Sequence, residues 1–270
     1  MENKNKGWRK GVLFVSALRT MILMELRQLF FATSTYWAAV FFLGFMGSVY
    51  HGILQDYAKI EQESSPITQF FQLFWIPVFF VVPLITMRSI ADERRQGTLV
   101  ATLTTHANAW TLVFAKFCGA YSLYCFLWGL TATFHLIVYY FIPEAKLLAQ
   151  SSLFDTGALT GGYLFVAISG ILFVAIGIFT SSLTRSQLVA GMLCFTLLFI
   201  VLVGAKLTEQ IDFSELIGLS WLQQPVIFLK THHYLEIFSR GLWDSRPLIF
   251  YITNGFLFLG IASLVVESKK

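Results

Sequence analysis

The sequence predicts an all-α integral membrane protein: six transmembrane helices preceded by an N-terminal amphipathic interfacial helix, with both termini cytoplasmic. Three observations lead there. The 270 residues are 56% hydrophobic and only 13% charged, where a soluble domain carries about 25% charged residues. The apolar residues gather in runs long enough to cross a bilayer, which takes about 20 residues. Lys and Arg concentrate on one side of those runs, as the positive-inside rule demands of cytoplasmic segments.

Residues 11–31 form the first element. Val15, Leu18, Ile22, Leu26 and Leu29 recur at helical spacing, opposite Ser16, Thr20 and Arg27, with Met24 and Phe31 blurring the stripe. A crossing is disfavoured because Arg19, Glu25 and Arg27 would each be costly in the hydrocarbon. The pattern therefore reads as a helix lying in the interface. Small residues do not mark a cleavage site near its end, so it is not read as a signal peptide.

The spans follow. Residues 36–54 hold no formal charge. Residues 70–87 contain Pro77 and Pro83; each removes a helix hydrogen bond, so this span is expected to kink. The third span, 110–142, carries Lys116 near its start. Residues 156–205 hold one charge, Arg185, in 50 residues, too many for one crossing. They divide into spans at 158–180 and 187–205 that turn at "SSLTRSQ". Residues 247–266 are the last span. The whole chain, 1–270, is thus one transmembrane domain.

With the N-terminus inside, the inner segments carry twelve Lys and Arg and five acids, and the outer loops carry six and ten. This orientation puts residues 88–108 in the cytoplasm. The long segment 206–246 then lies outside, as short amphipathic helices with Trp221 and Trp243 at the interface. Within it, His232, His233, Glu236 and Arg240 form a polar helix face. His232 and Glu236 are one turn apart, but a zinc site needs three or four ligands, so no metal is expected. Cys118, Cys125 and Cys194 stand in apolar runs without metal spacing and read as packed thiols. His51 and His135 fall in spans without acidic partners and do not make a proton relay. A net charge of +4 is not the footprint of a nucleic-acid binder.

The charged stretch between spans two and three is the most informative. "TMRSIADERRQGTLVATLTTHANAW" follows an uncharged run and gathers Arg88, Asp92, Glu93, Arg94 and Arg95 before Gly97. Arg88 and Asp92 are four apart and can pair on one helix face. Arg94 and Arg95 are expected to point toward lipid phosphates or a protein. Gly97 can end the helix in a left-handed conformation, and Thr98 can cap a second short helix, "TLVATLTT". An ordinary positive-inside loop needs only the arginines. The acids, the glycine stop and the apolar Leu99 and Leu103 ask for a partner.

"PLITMRSIADERRQGTLVATLTT" resembles the pattern of ABC-2-type transporter permeases, particularly the gliding-motility type: Pro, a hydrophobic residue, Thr-Met-Arg, an acidic and basic run, then Gly-Thr-Leu. "FSRGLWDSRPLIFYI" resembles the same family's segment before its last span, and the resemblance extends over essentially the whole chain. It implies a permease subunit in the inner membrane of a bacterium, an exporter, with a second permease subunit and an ABC ATPase subunit as partners, and room for an accessory membrane protein. ATP and magnesium would sit on the ATPase; this chain shows no phosphate-loop motif and is expected to hold no cofactor and to catalyse nothing alone. Glu93, Arg94 or Arg95, Gly97, Thr98 and Leu99 match the family's coupling region, which docks on the ATPase. Val100 replaces an acid frequent in the family, and His106 and Ala107 stand where it often has proline. A membrane anchor or scaffold for an ATPase is the alternative reading. An integral membrane transferase is a more distant one, since Asp92–Arg95 has no His or Cys beside it.

Overall fold

A computed structural model describes residues 18–59, 65–99, 108–141, 156–210, 234–235, 237–238 and 245–269. The described residues form helices joined by short turns. They are named α1 (residues 18–31), α2 (Thr33–Lys59), α3 (Pro66–Gln72), α4 (Trp75–Thr86), α5 (Ala91–Gln96), α6 (Ala109–Phe141), α7 (Thr156–Leu183), α8 (Gln187–Gln210) and α9 (Ser245–Glu267). Among the described residues six stretches are long and apolar enough to cross a membrane: Thr33–Tyr57, Trp75–Gln96, Ala109–Phe141, Thr156–Leu183, Gln187–Gly204 and Ser245–Glu267. The protein is multi-pass and all-helical, as the hydropathy predicts.

Helix α1 is two-faced. Leu18, Ile22, Leu26 and Leu29 lie on its shielded side, and Arg19 and Arg27 are exposed. Leu23, Met24 and Phe31 are exposed as well. One residue, Ala32, separates α1 from α2. The turn is closed by Thr35, whose amide donates to Ala32 O at 2.9 Å and whose hydroxyl donates to Leu29 O at 2.6 Å.

The stretch predicted as the second span, residues 70–87, is interrupted, and the crossing itself begins at Trp75. Ser65 caps α3 by accepting the Thr68 amide at 3.2 Å, with Pro66 at the first helical position, where its missing N–H costs nothing. The helix then breaks at Leu73–Phe74 and resumes as α4. The break falls one turn before Pro77. That proline has no amide to give the Leu73 carbonyl, and its ring would press on that carbonyl in a continuous helix. The tighter bond from Ile76 N to Leu73 O, 3.2 Å, takes its place. Pro83, by contrast, sits inside an uninterrupted helix.

Helix α7 is the hub, with 72% of its most apolar window buried. It packs against α9 most extensively and also against α3, α4, α6 and α8. Small residues make this possible. A methyl at Gly170 would overlap the Tyr124 ring of α6, and one at Gly177 would overlap the Thr86 side chain of α4. Tyr121 and Tyr124 donate to the carbonyls of Ala167 and Val166 at 2.8 and 3.3 Å, so their hydroxyls are satisfied within the bundle.

Candidate functional site: the charged junction at the N-terminal face

Helix α6 has 33 residues. At 1.5 Å per residue it is about 50 Å long, against about 30 Å of hydrocarbon. Its first turns lie beside α1 and α5. Lys116 stands in the second turn. Its side chain is 3% exposed, and Nζ lies 2.6 Å from Glu25 Oε1 of α1 and 2.6 Å from Glu93 Oε1 of α5. One ammonium thus joins three elements that are far apart in sequence. Close contact on α6 permits it: a methyl at Gly119 would come within 3.1 Å of Glu25 Cβ and 3.3 Å of Leu29. Phe30 adds an edge-on ring contact to Phe126, with centroids 5.2 Å apart.

The chain reaches α5 through a turn, Met87–Ile90. Ile90 stands at the cap of α5 and has no side-chain oxygen to satisfy the first amides. Ser181 of α7 supplies one. Its Oγ accepts the amides of Ile90 and Ala91 at 3.0 and 3.1 Å and donates to Met87 O at 3.3 Å. Gly97 ends α5 with φ 73 and ψ 8, the left-handed conformation, which a residue with Cβ adopts at a penalty. The Thr98 hydroxyl donates to Glu93 O at 3.3 Å.

The charged residues do not point where their spacing suggests. Asp92 pairs with Arg95 at 2.9 Å rather than with Arg88. Arg88 Nη1 instead donates to Ser34 Oγ at 3.3 Å, at the start of α2. Arg94 turns inward, and its Nη1 donates to Ser182 O at 2.5 Å, at the end of α7. Glu93, read from the sequence as a contact for a partner, holds Lys116; its Oε2 is buried and finds no partner among the described residues. Arg95, Gln96, Gly97 and Thr98 are exposed, and Leu99 is buried. A cavity of about 540 Å³ opens beside the junction, lined by Glu25, Leu29, Ser34, Arg88, Glu93 and Lys116 among others.

Leu103, His232, His233, Glu236 and Arg240 lie outside the described residues. Among the described residues no group of three or more His, Cys, Asp or Glu could hold a metal ion. Sequence reasoning missed Lys116 and Glu25 as partners of Glu93. The available signal was Lys116, a lone charge in a segment otherwise suited to lipid, since such an ion is tolerated when paired.

The site is a junction in which the short helix α5 is held by ionic and capping contacts to α1, α6 and α7. A family model described as "ABC-2 family transporter protein" matches residues 13–263. No curated protein matches the chain.

Proposed function

This chain belongs to the ABC-2 transporter family, and from that premise we propose that its charged junction passes conformational change between an ATPase subunit and the spans. The chain is a permease subunit of an ABC transporter, and the family implies an ABC ATPase as its partner. The finer reading is that α5 and the segment after Gly97 dock on that ATPase from the cytoplasm, with both termini on the same side of a bacterial inner membrane. ATP and magnesium bind to the partner, a second permease subunit completes the pathway, and the direction is export. The resemblance of "TMRSIADERRQGTL" to gliding-motility-type permeases supports that subgroup.

The single observation that carries the coupling reading is the sharing of Lys116 between Glu25 and Glu93. A force applied to α5 reaches α1 and α6 through one ammonium, rather than being lost in a loose loop. The exposed rim, Arg95 to Thr98, is left to meet a partner. The test is affinity capture of the tagged chain from gently solubilised membranes, followed by nucleotide-driven transport in vesicles made with the captured subunits. Co-purification of an ATPase is expected, and Arg95→Glu should reduce it. Capture of an ATPase with no nucleotide-driven transport by the reconstituted complex would support the anchor reading instead.

A further inference from the structure

Three cations converge on the end of α7. Arg94 Nη1 donates to Ser182 O at 2.5 Å, and Lys269 Nζ, just past α9, donates to Leu183 O at 3.2 Å. Arg185 follows two residues later and is exposed. A helix C-terminus carries roughly half a negative charge, which accounts for one cation and not for three. No ion pair joins any of the three to a carboxylate among the described residues, and Asp92, on the same short helix as Arg94, is taken by Arg95. Desolvation and repulsion from Arg94 and Arg185 hold the Lys269 ammonium below the usual lysine value, so the cluster works against itself as it stands. Arg94 Nη2 is buried and has no acceptor among the described residues.

The position of the cluster selects the anion. Arg185 lies in a turn of three residues, 184–186, between two spans. Even fully extended, that turn reaches only about 10 Å from the helix ends, so Arg185 stays close to the ends of the two spans. Exposed apolar side chains stand near the cluster in the chain: Leu183 at 38% and Leu188 at 66%, two and three residues from Arg185, and Leu264 at 65%, five residues before Lys269. Cations at headgroup depth beside leucines at acyl-chain depth match an amphiphile with a phosphate, and a soluble carboxylate would leave those leucines without a counterpart.

We propose that Arg94, Arg185 and Lys269 bind the phosphate of an anionic lipid headgroup at the end of α7. The lipid then joins α5, α7 and α9 at a point where the chain supplies only cations.

The test uses the full chain reconstituted in vesicles of phosphatidylcholine containing one part in five phosphatidylglycerol, then extracted in detergent, with retained lipid counted by mass spectrometry. Arg185→Gln with Lys269→Gln changes only exposed side chains, so the bundle should remain folded, as a monodisperse elution peak would verify. Preference for phosphatidylglycerol over phosphatidylcholine should fall about five-fold for each charge removed, the scale of a basic residue near an anionic surface. Arg27→Gln, an exposed cation on α1, should leave it unchanged. Equal loss with Arg27→Gln would reduce the effect to general surface charge and overturn the proposal. So would unchanged preference in the double variant. Displacement of the retained lipid by inorganic phosphate at equimolar concentration would assign the site to free phosphate. Loss of a co-purifying ATPase with lipid preference intact would assign it to a protein contact.

Discussion

Glu93 Oε1 lies 2.6 Å from Lys116 Nζ, so an acid on the short exposed helix is anchored inside its own chain. Lys116 is 3% exposed and Glu93 26%. Truncating the lysine leaves two partly shielded carboxylates without their cation. We expect Lys116→Ala to destabilise the folded chain by about 2–4 kcal/mol and Glu93→Ala by about 1–2 kcal/mol, because Glu25 still holds the ammonium and Glu93 is partly screened by solvent. The neutral triple variant Glu25→Gln, Lys116→Met, Glu93→Gln should recover most of the loss. Asp56→Ala is the control; its pair with Lys59 spans 3.9 Å with both side chains 70% exposed. Thermal unfolding in one detergent compares all four. A triple variant as unstable as Lys116→Ala would show that the charges are not what the junction depends on.

Ser181→Ala should loosen the start of α5. It deletes the acceptor for two buried amides, Ile90 and Ala91, at about 1–2 kcal/mol. Hydrogen exchange at those two amides should quicken by about 5–30-fold. Exchange in the middle of α7 should not change. Protection of Ile90 and Ala91 equal to that of the parent chain would mean another group caps the helix.

Gly97 gives a cleaner conformational test, because nothing lies within 4 Å of a Cβ built there. Gly97→Val has no clash to relieve and suffers only the left-handed backbone, about 1–2 kcal/mol or more for a branched residue. Gly97→Asn, which tolerates that region, should stay close to the parent. The readout is ATPase co-purification together with nucleotide-driven transport, and the two variants should separate in both. Equal behaviour of valine and asparagine would remove the turn from the coupling argument.

Gly170→Ala should disturb the hub. Its methyl meets the Tyr124 ring, whereas Gly44 has nothing within 4 Å. Overpacking of this kind costs about 1–3 kcal/mol, so Gly170→Ala should melt lower and Gly44→Ala should not. Matched melting of the two would place slack around α7 that the packing does not show.

The six apolar crossings and the two-faced α1 were legible because lipid imposes length and composition on each segment separately. Gly97 was legible for a similar reason: a glycine after a short charged helix is a local signal. The junction was not. Lys116 stands 91 positions from Glu25, and no period or spacing links residues that meet only after the bundle closes. Arg94 was legible only in part. Its neighbours in sequence suggest an arginine aimed at lipid phosphate or a protein, and they give no sign that the carbonyl of Ser182, 88 positions away, takes its Nη1. The second span shows a subtler limit. Pro77 was legible as a helix disturbance, yet the interruption falls at Leu73–Phe74, because a proline acts on the carbonyl one turn before it.

That interruption sets a joint between α3 and the second crossing, which begins at Trp75. Helix α4, 12 residues long, is a rigid arm of about 18 Å that ends close to α5. Helix α3 is held separately, with the Phe71 ring against Gly162 of α7. Under the proposed coupling, a tilt imposed at the charged end would swing α4 about Leu73–Phe74 and leave α3 in its seat. Leu73–Phe74 acts as the fulcrum, so displacement grows along α4 past the Phe79–Phe195 contact with α8 and is greatest at its Thr86 end, which lies against Gly177 of α7.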